Sequence, residues 1–340
     1  MGNATDCKCV NNLEDDSELI TEKDPFVFTK SSRKNTKIKL SLFSLLKEKM
    51  LQSNIIVNFI TKEFFHNIMD QNPKAHSIIE SYTPQISSLY NKSSSHENYL
   101  PPLQLKNEMD NTMEYYEGEY NDNGEFHGIG IHLFDQNCIY IGQFENNQYN
   151  GKGLLITNEG NSLYGDFVKG ECTGMGHLII EGQLDYEGAF DNNQKHGFGT
   201  EKYIDGSVYE GNFSYGEKNG KGKFTFQNGE YYDGNFQNDL YEGDGIYEWP
   251  EEGRKYEGQF HLGNIEGNGV SSFRDGSVYK GHYVGGVKQG EGVFTWSNGQ
   301  KIEANWLNNE LHGTGIFTAN GNKYEIIFRF GKIISTSNIK

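Results

Sequence analysis

The sequence predicts a mainly β protein: an elongated antiparallel β-hairpin solenoid preceded by a short helical segment. Two observations carry this prediction. Tyr, Gly and Phe alternate in a pattern, followed by Gly-x-Gly, that recurs every 22 to 24 residues from Tyr116 to Tyr324. Five of the junctions between copies hold Asn-Gly or Asp-Gly, which favour tight hairpin turns. A fixed period of this length is typical of repeat architectures, in which each unit packs on its neighbours.

Each copy begins with one large apolar residue on the first strand of its hairpin. The starts are Tyr116, Tyr140, Leu163, Tyr186, Tyr209, Tyr232, Tyr256 and Tyr279, then a worn copy at Ile302 and a partial one at Tyr324. The Gly-x-Gly pair follows each of the first nine starts after 11 residues, or 12 in the first copy. We therefore expect about nine repeats.

The copy at 209–229 illustrates the expected packing. Tyr209, Gly211 and Phe213 share one face of the first strand because side chains alternate along a strand. One face of the second strand is expected to hold Gly220, Gly222, Phe224 and Phe226. Rings then lie opposite glycines, which make room for them in a thin core.

Two kinds of turn are expected to close the hairpins. The first is a two-residue type I′ turn, in which both residues need positive φ. We assign it to Asp205-Gly206, Asn228-Gly229, Asp275-Gly276, Asn298-Gly299 and Asn320-Gly321. The second is a longer loop of six residues, such as Ser214–Asn219.

These residues closely resemble the MORN (membrane occupation and recognition nexus) repeat: Tyr-Glu-Gly-x-Trp/Phe, a loop ending in His-Gly-x-Gly, a strand, then Asp-Gly. The resemblance covers residues 116–322 and, in part, 324–331; the His form occurs at His127, His196 and His312. Family proteins are generally scaffolds or membrane–cytoskeleton linkers, and some bind acidic phospholipids. Others carry the repeats beside a lipid kinase, a methyltransferase or an exchange-factor domain, and no such domain is visible here. The resemblance therefore implies a binding scaffold.

Motifs for catalysis are missing from the sequence. Lys152, Lys221 and Lys332 follow glycines, but none completes GxxxxGK[ST]. The ten histidines show no metal-ligand spacing, and Cys138 and Cys172 are expected to be small buried residues. We predict that the protein is not an enzyme and that it needs no cofactor and no metal.

The distribution of charged residues limits the kinds of partner that the chain is expected to bind. Residues 1–115 carry 13 Lys and Arg against 15 Asp and Glu (net −2), and residues 116–340 carry 17 against 32 (net −15). Such an acidic chain is not expected to bind nucleic acid. Lys218, Lys221 and Lys223 form a small basic cluster that could bind a lipid headgroup. Lipid binding by the repeats is the less favoured hypothesis. Docking of a protein partner is the favoured interpretation. The candidate anchors are three aromatic residues in loops: Tyr149, Tyr215 and Tyr241. The alternative is that these three are ordinary surface rings.

The first residues predict a lipid anchor. Gly2 after Met is the requirement for N-myristoylation, and Cys7 and Cys9 are typical palmitoyl acceptors. The match departs from the motif at Asp6, where Ser or Thr is preferred. One myristate binds membranes only marginally, so a second signal is needed. A basic run supplies one towards an anionic membrane surface: Lys30, Arg33, Lys34, Lys37 and Lys39. The alternative is an unmodified, solvated tail.

Helical spacing of apolar residues defines the segment before the repeats. It runs through Leu42, Leu45, Leu46, Leu51, Ile55, Phe59, Ile60, Phe64 and Ile68. Pro73 is a plausible stop, and a second helix from about 74 to 90 would be interrupted by Pro84. These helices either cap the first hairpin or bind a partner or membrane surface. The predicted organisation is a tail (1–36), a helical segment (37–90), a linker with a half-strand (91–115), the solenoid (116–331) and a C-terminal tail (332–340).

From these features we expect a non-enzymatic scaffold or tether that presents a repeat rod for protein docking at the cytoplasmic face of a membrane. The protein partners are not identified by the sequence, and a homo-oligomer is left open. One alternative is a cytoskeletal or ciliary structural component without a lipid anchor. Another is a phosphoinositide-binding module or the regulatory subunit of a lipid kinase. No apolar stretch approaches the length of a membrane span, and no secretory segment is expected.

Overall fold

The computed structural model describes residues 73–90, 99–106, 113–134 and 138–339. They fall into two units, one ending at residue 204 and the other beginning at residue 205. In the first unit lie α1 (Pro73–Tyr90), β1 (Tyr99–Lys106), β2 (Met113–Tyr120), β3 (Phe126–Phe134), β4 (Cys138–Glu145), β5 (Gln148–Ile156), β6 (Ser162–Val168), β7 (Glu171–Ile180), β8 (Leu184–Asp191) and β9 (Gln194–Tyr203).

The second unit is built from strands alone within the described residues. They are β10 (Val208–Ser214), β11 (Glu217–Thr225), β12 (Tyr231–Gln237), β13 (Leu240–Trp249), β14 (Arg254–His261), β15 (Asn264–Ser272), β16 (Val278–Val284), β17 (Val287–Thr295), β18 (Lys301–Leu307), β19 (Glu310–Ala319), β20 (Asn322–Arg329) and β21 (Lys332–Ile339). The predicted C-terminal tail (332–340) is therefore wrong, because it holds β21. β1 likewise extends well beyond the predicted half-strand.

Within each unit the strands form an open antiparallel sheet in which every strand pairs with the next. The predicted β-hairpin solenoid is thus confirmed, and its register is constant. A row of glycines crosses the first unit in direct register: Gly118, Gly130, Gly142, Gly153, Gly165, Gly176, Gly188 and Gly199. The corresponding row of the second unit runs through Gly211, Gly222, Gly234, Gly245, Gly258, Gly269, Gly281 and Gly292, then Ala304 and Gly315.

The turns differ from the prediction. The expected six-residue loop at 214–219 is wrong, because strands β10 and β11 extend to a two-residue turn, Tyr215-Gly216, with φ of 52° and 88°. Of the Asn-Gly and Asp-Gly pairs, only Asn320-Gly321 has positive φ at both residues. In the other four only the glycine does, and the Asp or Asn side chain accepts a backbone N–H two residues on, as Asp205 does from Ser207 at 2.7 Å. In these four turns the side-chain hydrogen bond stabilises the turn, although only the glycine has a left-handed conformation.

The sheet has two faces. We call the face that carries the repeat-start side chains, such as Tyr116 and Tyr140, the tyrosine face, and the other the opposite face. Helix α1 lies on the opposite face. Ala75, Ile79, Tyr82 and Ile86 share one stripe of α1 and are at most 4% exposed. They form one cluster with Ile129, Ile131, Leu133, Ile139, Ile141, Leu154 and Ile156. The helix covers apolar residues of the first hairpins, in keeping with the capping alternative.

Helix α1 accommodates two prolines. Pro73 begins the helix, which suits a residue whose missing N–H has no helical acceptor in the first turn. Pro84 lies inside the helix and does not interrupt it. The helix predicted within residues 37–70 lies outside the described residues.

Candidate functional site

The repeat tyrosine is held against two glycines of the glycine row. A methyl group added to Gly211 or Gly222 would lie 2.4 Å from the Tyr209 hydroxyl oxygen. The hydroxyl donates a hydrogen bond to the carbonyl of Asn212 at 2.9 Å. The same bond, to the carbonyl three residues ahead, recurs in all seven full copies that begin with Tyr. These glycines therefore have a packing role, as predicted.

Edge-to-face ring contacts join the repeat tyrosine of six copies to a ring of the next copy. Tyr209 meets Phe213 of its own copy at 5.1 Å between ring centroids and Phe236 of the next copy at 5.0 Å. Tyr232 does the same with Phe236 and Phe260, at 5.1 and 4.9 Å. Such contacts stabilise beyond the area they bury. Within each unit the tyrosine face therefore has a core built largely of aromatic rings.

A second residue of each copy lies over the repeat-start side chain, and we call its place the stacking position. It is filled by Phe126, Tyr149, Cys172, Lys195, Lys218, Tyr241, Ile265, Lys288 and Leu311. Tyr149 stacks on Tyr140 at 3.7 Å and Tyr241 on Tyr232 at 3.9 Å, nearly parallel in both pairs. Tyr241 is 8% exposed, so its prediction as a docking anchor is wrong. Tyr149 lies in the same packing position and is half-buried.

Lysines take the stacking position in three copies. The ammonium of Lys288 lies 4.9 to 5.8 Å from the centroids of four rings: Phe273, Tyr279, Phe294 and Trp306. Lys195 pairs with the buried carboxylate of Glu201, and Lys218 lies 3.5 Å from Asp239. The aromatic core thus accepts cations as well as rings.

The predicted basic cluster is not a surface patch. Lys218 is 6% exposed and is packed over Tyr209 at 5.6 Å. Lys223 lies over the Tyr231 ring at 4.1 Å, and of the three lysines Lys221 stands exposed on the opposite face without such a ring. The three ammonium groups therefore do not converge on one headgroup.

Within the second unit, four rings at one repeat position form what we call the aromatic row: Phe226, Trp249, Phe273 and Trp296. They lie on the tyrosine face, two residues beyond the side chain that opposes the repeat tyrosine. Trp296 is 36% exposed and Phe226 and Phe273 are half-buried, whereas Trp249 is covered by the Arg254 guanidinium at 3.8 Å. In the first unit the same position holds Phe134, Thr157, Ile180 and Tyr203, and in the ninth copy it holds Ala319. Three copies thus lack a ring, so the fold does not require one there.

Tyr215 is exposed, at 79%, on a two-residue turn. Of the three predicted loop aromatics it alone is exposed. The remaining candidate residues lie outside the described residues: Gly2, Cys7, Cys9, Lys30, Arg33, Lys34, Lys37 and Lys39.

The residue before the Gly-x-Gly pair braces the next hairpin, a role that the sequence analysis missed. Glu242 accepts a hydrogen bond from the backbone N–H of Leu262 at 3.1 Å, and Glu266 accepts one from Gly285 at 2.8 Å. His312 is positioned likewise beneath the Phe330 N–H, at 3.5 Å. The hydrogen bond from His261 and that from Leu262 hold the pKa of Glu242 below its usual range. The signal in the sequence is that copy after copy has a side chain able to accept a hydrogen bond at this position.

The described residues carry little reactive chemistry. Within them, no three His, Cys, Asp or Glu side chains come together as a metal-binding group. Burial raises the pKa of the Cys172 thiol to about 12, so it is a packing residue rather than a nucleophile. Among these residues no helix combines the length and hydropathy that a membrane crossing needs.

Comparison with known families defines the class of the protein. The MORN repeat model matches residues 140–162, 186–208, 209–231, 232–254, 256–278, 279–301 and 303–323. The chain therefore carries seven matched MORN repeats, and this type of repeat is generally a non-catalytic module that mediates protein or membrane interactions. No curated protein matches the chain.

Solved structures with a similar arrangement include domains of centriolar proteins. The TCP domain of Drosophila melanogaster SAS-4 (dCPAP), in complex with a proline-rich motif of Ana2, is 15% identical, with 44% of this chain and 82% of that chain covered, at a TM-score of 0.31. A mutant TCP10 domain of Danio rerio CPAP is 11% identical, with coverage of 70% and 99%, at 0.21. At TM-scores below 0.5 these likenesses carry no argument about this chain.

Proposed function

We propose that this protein is a non-enzymatic scaffold that docks a protein partner on its MORN repeats and is tethered to the cytoplasmic face of a membrane by its N-terminal tail. The aromatic row is the observation that carries the docking part. The four consecutive copies that begin at Tyr209, Tyr232, Tyr256 and Tyr279 place a large ring where three other copies hold Thr, Ile or Ala. Aromatic side chains with partly open faces are the residues that most often dominate binding energy at protein interfaces.

Charge favours a partner that presents basic side chains. Residues 230–252 hold eight Asp and Glu and no Lys or Arg. Within the same unit the Arg254 guanidinium already lies over the Trp249 ring, and Lys288 lies among four rings. The rings and the negative field together attract cations.

The array that presents this row has nine copies in this proposal, two more than the matched seven. The hairpins beginning at Tyr116 and Leu163 keep the glycine register, through Gly118 with Gly130 and Gly165 with Gly176. Leu163 lacks the ring and the hydroxyl of the repeat tyrosine, which accounts for a weaker family signal there.

The docking part is tested by co-purification from cells of tagged wild type, Trp296→Ala and Phe226→Ala. Both variants imitate the residue of the ninth copy, Ala319, and are expected to fold normally and lose the main co-purified partner. Leu262→Asn is the matched control, since it removes an exposed apolar side chain from a turn of the same unit. Retention of all partners by both alanine variants would overturn the docking proposal.

Tethering is tested separately by fractionation. Gly2→Ala and the double variant Cys7→Ser/Cys9→Ser are expected to move the protein from the membrane to the soluble fraction. If the membrane-bound fraction of both variants equals that of wild type, the lipid-anchor proposal is wrong. A detergent-insoluble fraction that is the same in wild type and both variants would instead support the cytoskeletal alternative.

A further inference from the structure

One place on the opposite face departs from the pattern of the other copies. The residue between the two glycines of Gly-x-Gly points to that face and is, in chain order, Ile129, Lys152, Met175, Phe198, Lys221, Asp244, Asn268, Glu291 and Thr314. Ile129 is buried in the cluster with α1, and the last five are exposed and polar. Met175 and Phe198 are apolar although 60% and 57% exposed.

The residue that faces this position breaks the pattern at the same place. It is Glu119, Gln143, Asp166, Ala189, Asn212, Asn235, Gln259, His282 and Asn305 in chain order. Its polar forms brace the hairpin: Gln143 accepts from the Lys152 backbone N–H at 2.9 Å, and Asn212 donates to the Lys221 carbonyl at 3.0 Å. Ala189 can form no such bond.

Met175, Ala189 and Phe198 therefore make what we call the apolar patch, on strands β7, β8 and β9. Met175 lies directly opposite Ala189 in register. A methyl group added to Gly197, next to Phe198, would lie 3.4 Å from the Ala189 side chain. At the equivalent place in the second copy Lys152 and Asp166 form an ion pair at 2.6 Å. Apolar side chains thus stand here where other copies have hydrogen-bonding or charged ones. Exposing this apolar surface to water is unfavourable, so covering it would stabilise the protein.

The patch continues the surface that α1 already covers. His177 is two residues from Met175 on β7, so the two side chains share the opposite face. The Tyr82 hydroxyl of α1 lies 2.6 Å from Nδ1 of His177, and the Tyr82 ring stacks on Tyr164 at 5.3 Å. The apolar patch is therefore the next surface along the same strands from an established contact of the helix.

An apolar segment of the chain leads directly into α1. It enters at Pro73, nine residues before Tyr82, which is about 14 Å at 1.5 Å per helical residue. Residues 37–70 hold apolar side chains at helical spacing, Leu42 to Ile68, as a helix needs to cover such a surface.

We propose that residues 37–72 dock on the apolar patch of Met175, Ala189 and Phe198, extending along the opposite face the cover that α1 begins. This inference goes beyond the proposed function. It assigns the segment to this chain's own repeats and not to a membrane or a partner, and it does not depend on the aromatic row.

Limited trypsin digestion of the full chain tests the docking through cleavage after Lys47, Lys49 and Lys62. The double variant Met175→Asn/Phe198→Asn introduces the residue found at this position in Asn268, so its thermal unfolding should match wild type. Cleavage within the segment is expected to be about tenfold faster, because proteolysis follows the population of the undocked state. Lys221→Asn/Thr314→Asn, changed at the same repeat position elsewhere, should cleave at the wild-type rate. Equal rates in wild type and the patch variant would overturn the proposal.

A photo-cross-linker placed at Phe198 gives the occupant directly. A benzophenone side chain is expected to join a peptide from residues 37–72 of the same chain, identified by mass spectrometry in monomeric material. A cross-linked dimer would identify a second copy as the occupant and overturn the assignment. Protection of the segment from trypsin only when anionic vesicles are present would assign it to the membrane and overturn it equally.

Discussion

Tyr209 and Gly222 are fitted to each other across the β10–β11 hairpin, with no room for a side chain on the glycine. A methyl group there would lie 2.4 Å from the tyrosine hydroxyl oxygen and 2.5 Å from a ring carbon. Tyr209 is fully buried, and its hydroxyl is fixed by the Asn212 carbonyl. The ring cannot move aside without breaking both its hydrogen bond and its contacts with Phe213 and Phe236.

Gly222→Val is expected to lower the free energy of unfolding by at least about 2 kcal/mol through overpacking. Its neighbour Lys221 is exposed on the opposite face, so Lys221→Ala should change stability by less than about 0.5 kcal/mol. Chemical denaturation of the full chain measures both. Equal losses in the two variants would return the glycine motif to a functional role.

Lys195 and Glu201 form a buried ion pair whose partners should be strongly coupled. Their side chains are 16% and 2% exposed, and Tyr203 also donates to the Glu201 carboxylate. Removing one partner leaves a buried charge, so Glu201→Leu alone should cost about 3 kcal/mol.

The third copy supplies the control for this pair, because it holds Cys172 and Leu178 at the same positions. Lys195→Cys/Glu201→Leu should therefore recover most of the stability, apart from about 1 kcal/mol for the Tyr203 hydroxyl left without its acceptor. A double-mutant cycle measures the coupling. Additive losses would show that the pair is solvated and carries no such energy.

Sequence reasoning reached the hairpin, the period and the packing role of the glycines because each depends on alternation along one strand. It missed which residues turn the chain, since Asn228-Gly229 and Asn320-Gly321 are alike in sequence and differ in φ at the asparagine. It also took Tyr241 for a surface ring, because the stacking position accepts rings and lysines alike. The aromatic row and the apolar patch appear only when equivalent positions are compared across copies with their burial known.

Alkaline pH should weaken the contact between α1 and the sheet. Burial raises the pKa of Tyr82 to about 12 from its usual 10, with Asp185, Tyr164 and Glu187 raising it further and Ser162 opposing. The protonated phenol is thus favoured in the folded state. Its contribution is complete below pH 10 and is lost as the pH rises towards 12.

Tyr82→Phe separates this group from the other tyrosines. The variant lacks the bond to His177, so it should be about 1 kcal/mol less stable than wild type at pH 8. Between pH 10 and 12 its stability should fall less steeply, as followed by denaturation with tyrosinate absorbance. Parallel curves for the two proteins would rule out the Tyr82 contribution.

Tyr215 occupies a backbone conformation better suited to asparagine. Its φ is 52°, a left-handed value that costs a bulky residue more than Asn. Four other copies place Asn at this turn position: Asn146, Asn192, Asn238 and Asn308. Tyr215→Asn is therefore expected to raise the free energy of unfolding by about 0.5 kcal/mol, since it relieves backbone strain and sacrifices a ring that is 79% exposed. Loss of stability would mean that the ring is packed in solution, and loss of a co-purified partner with stability gained would make Tyr215 a docking residue whose strain is kept for binding.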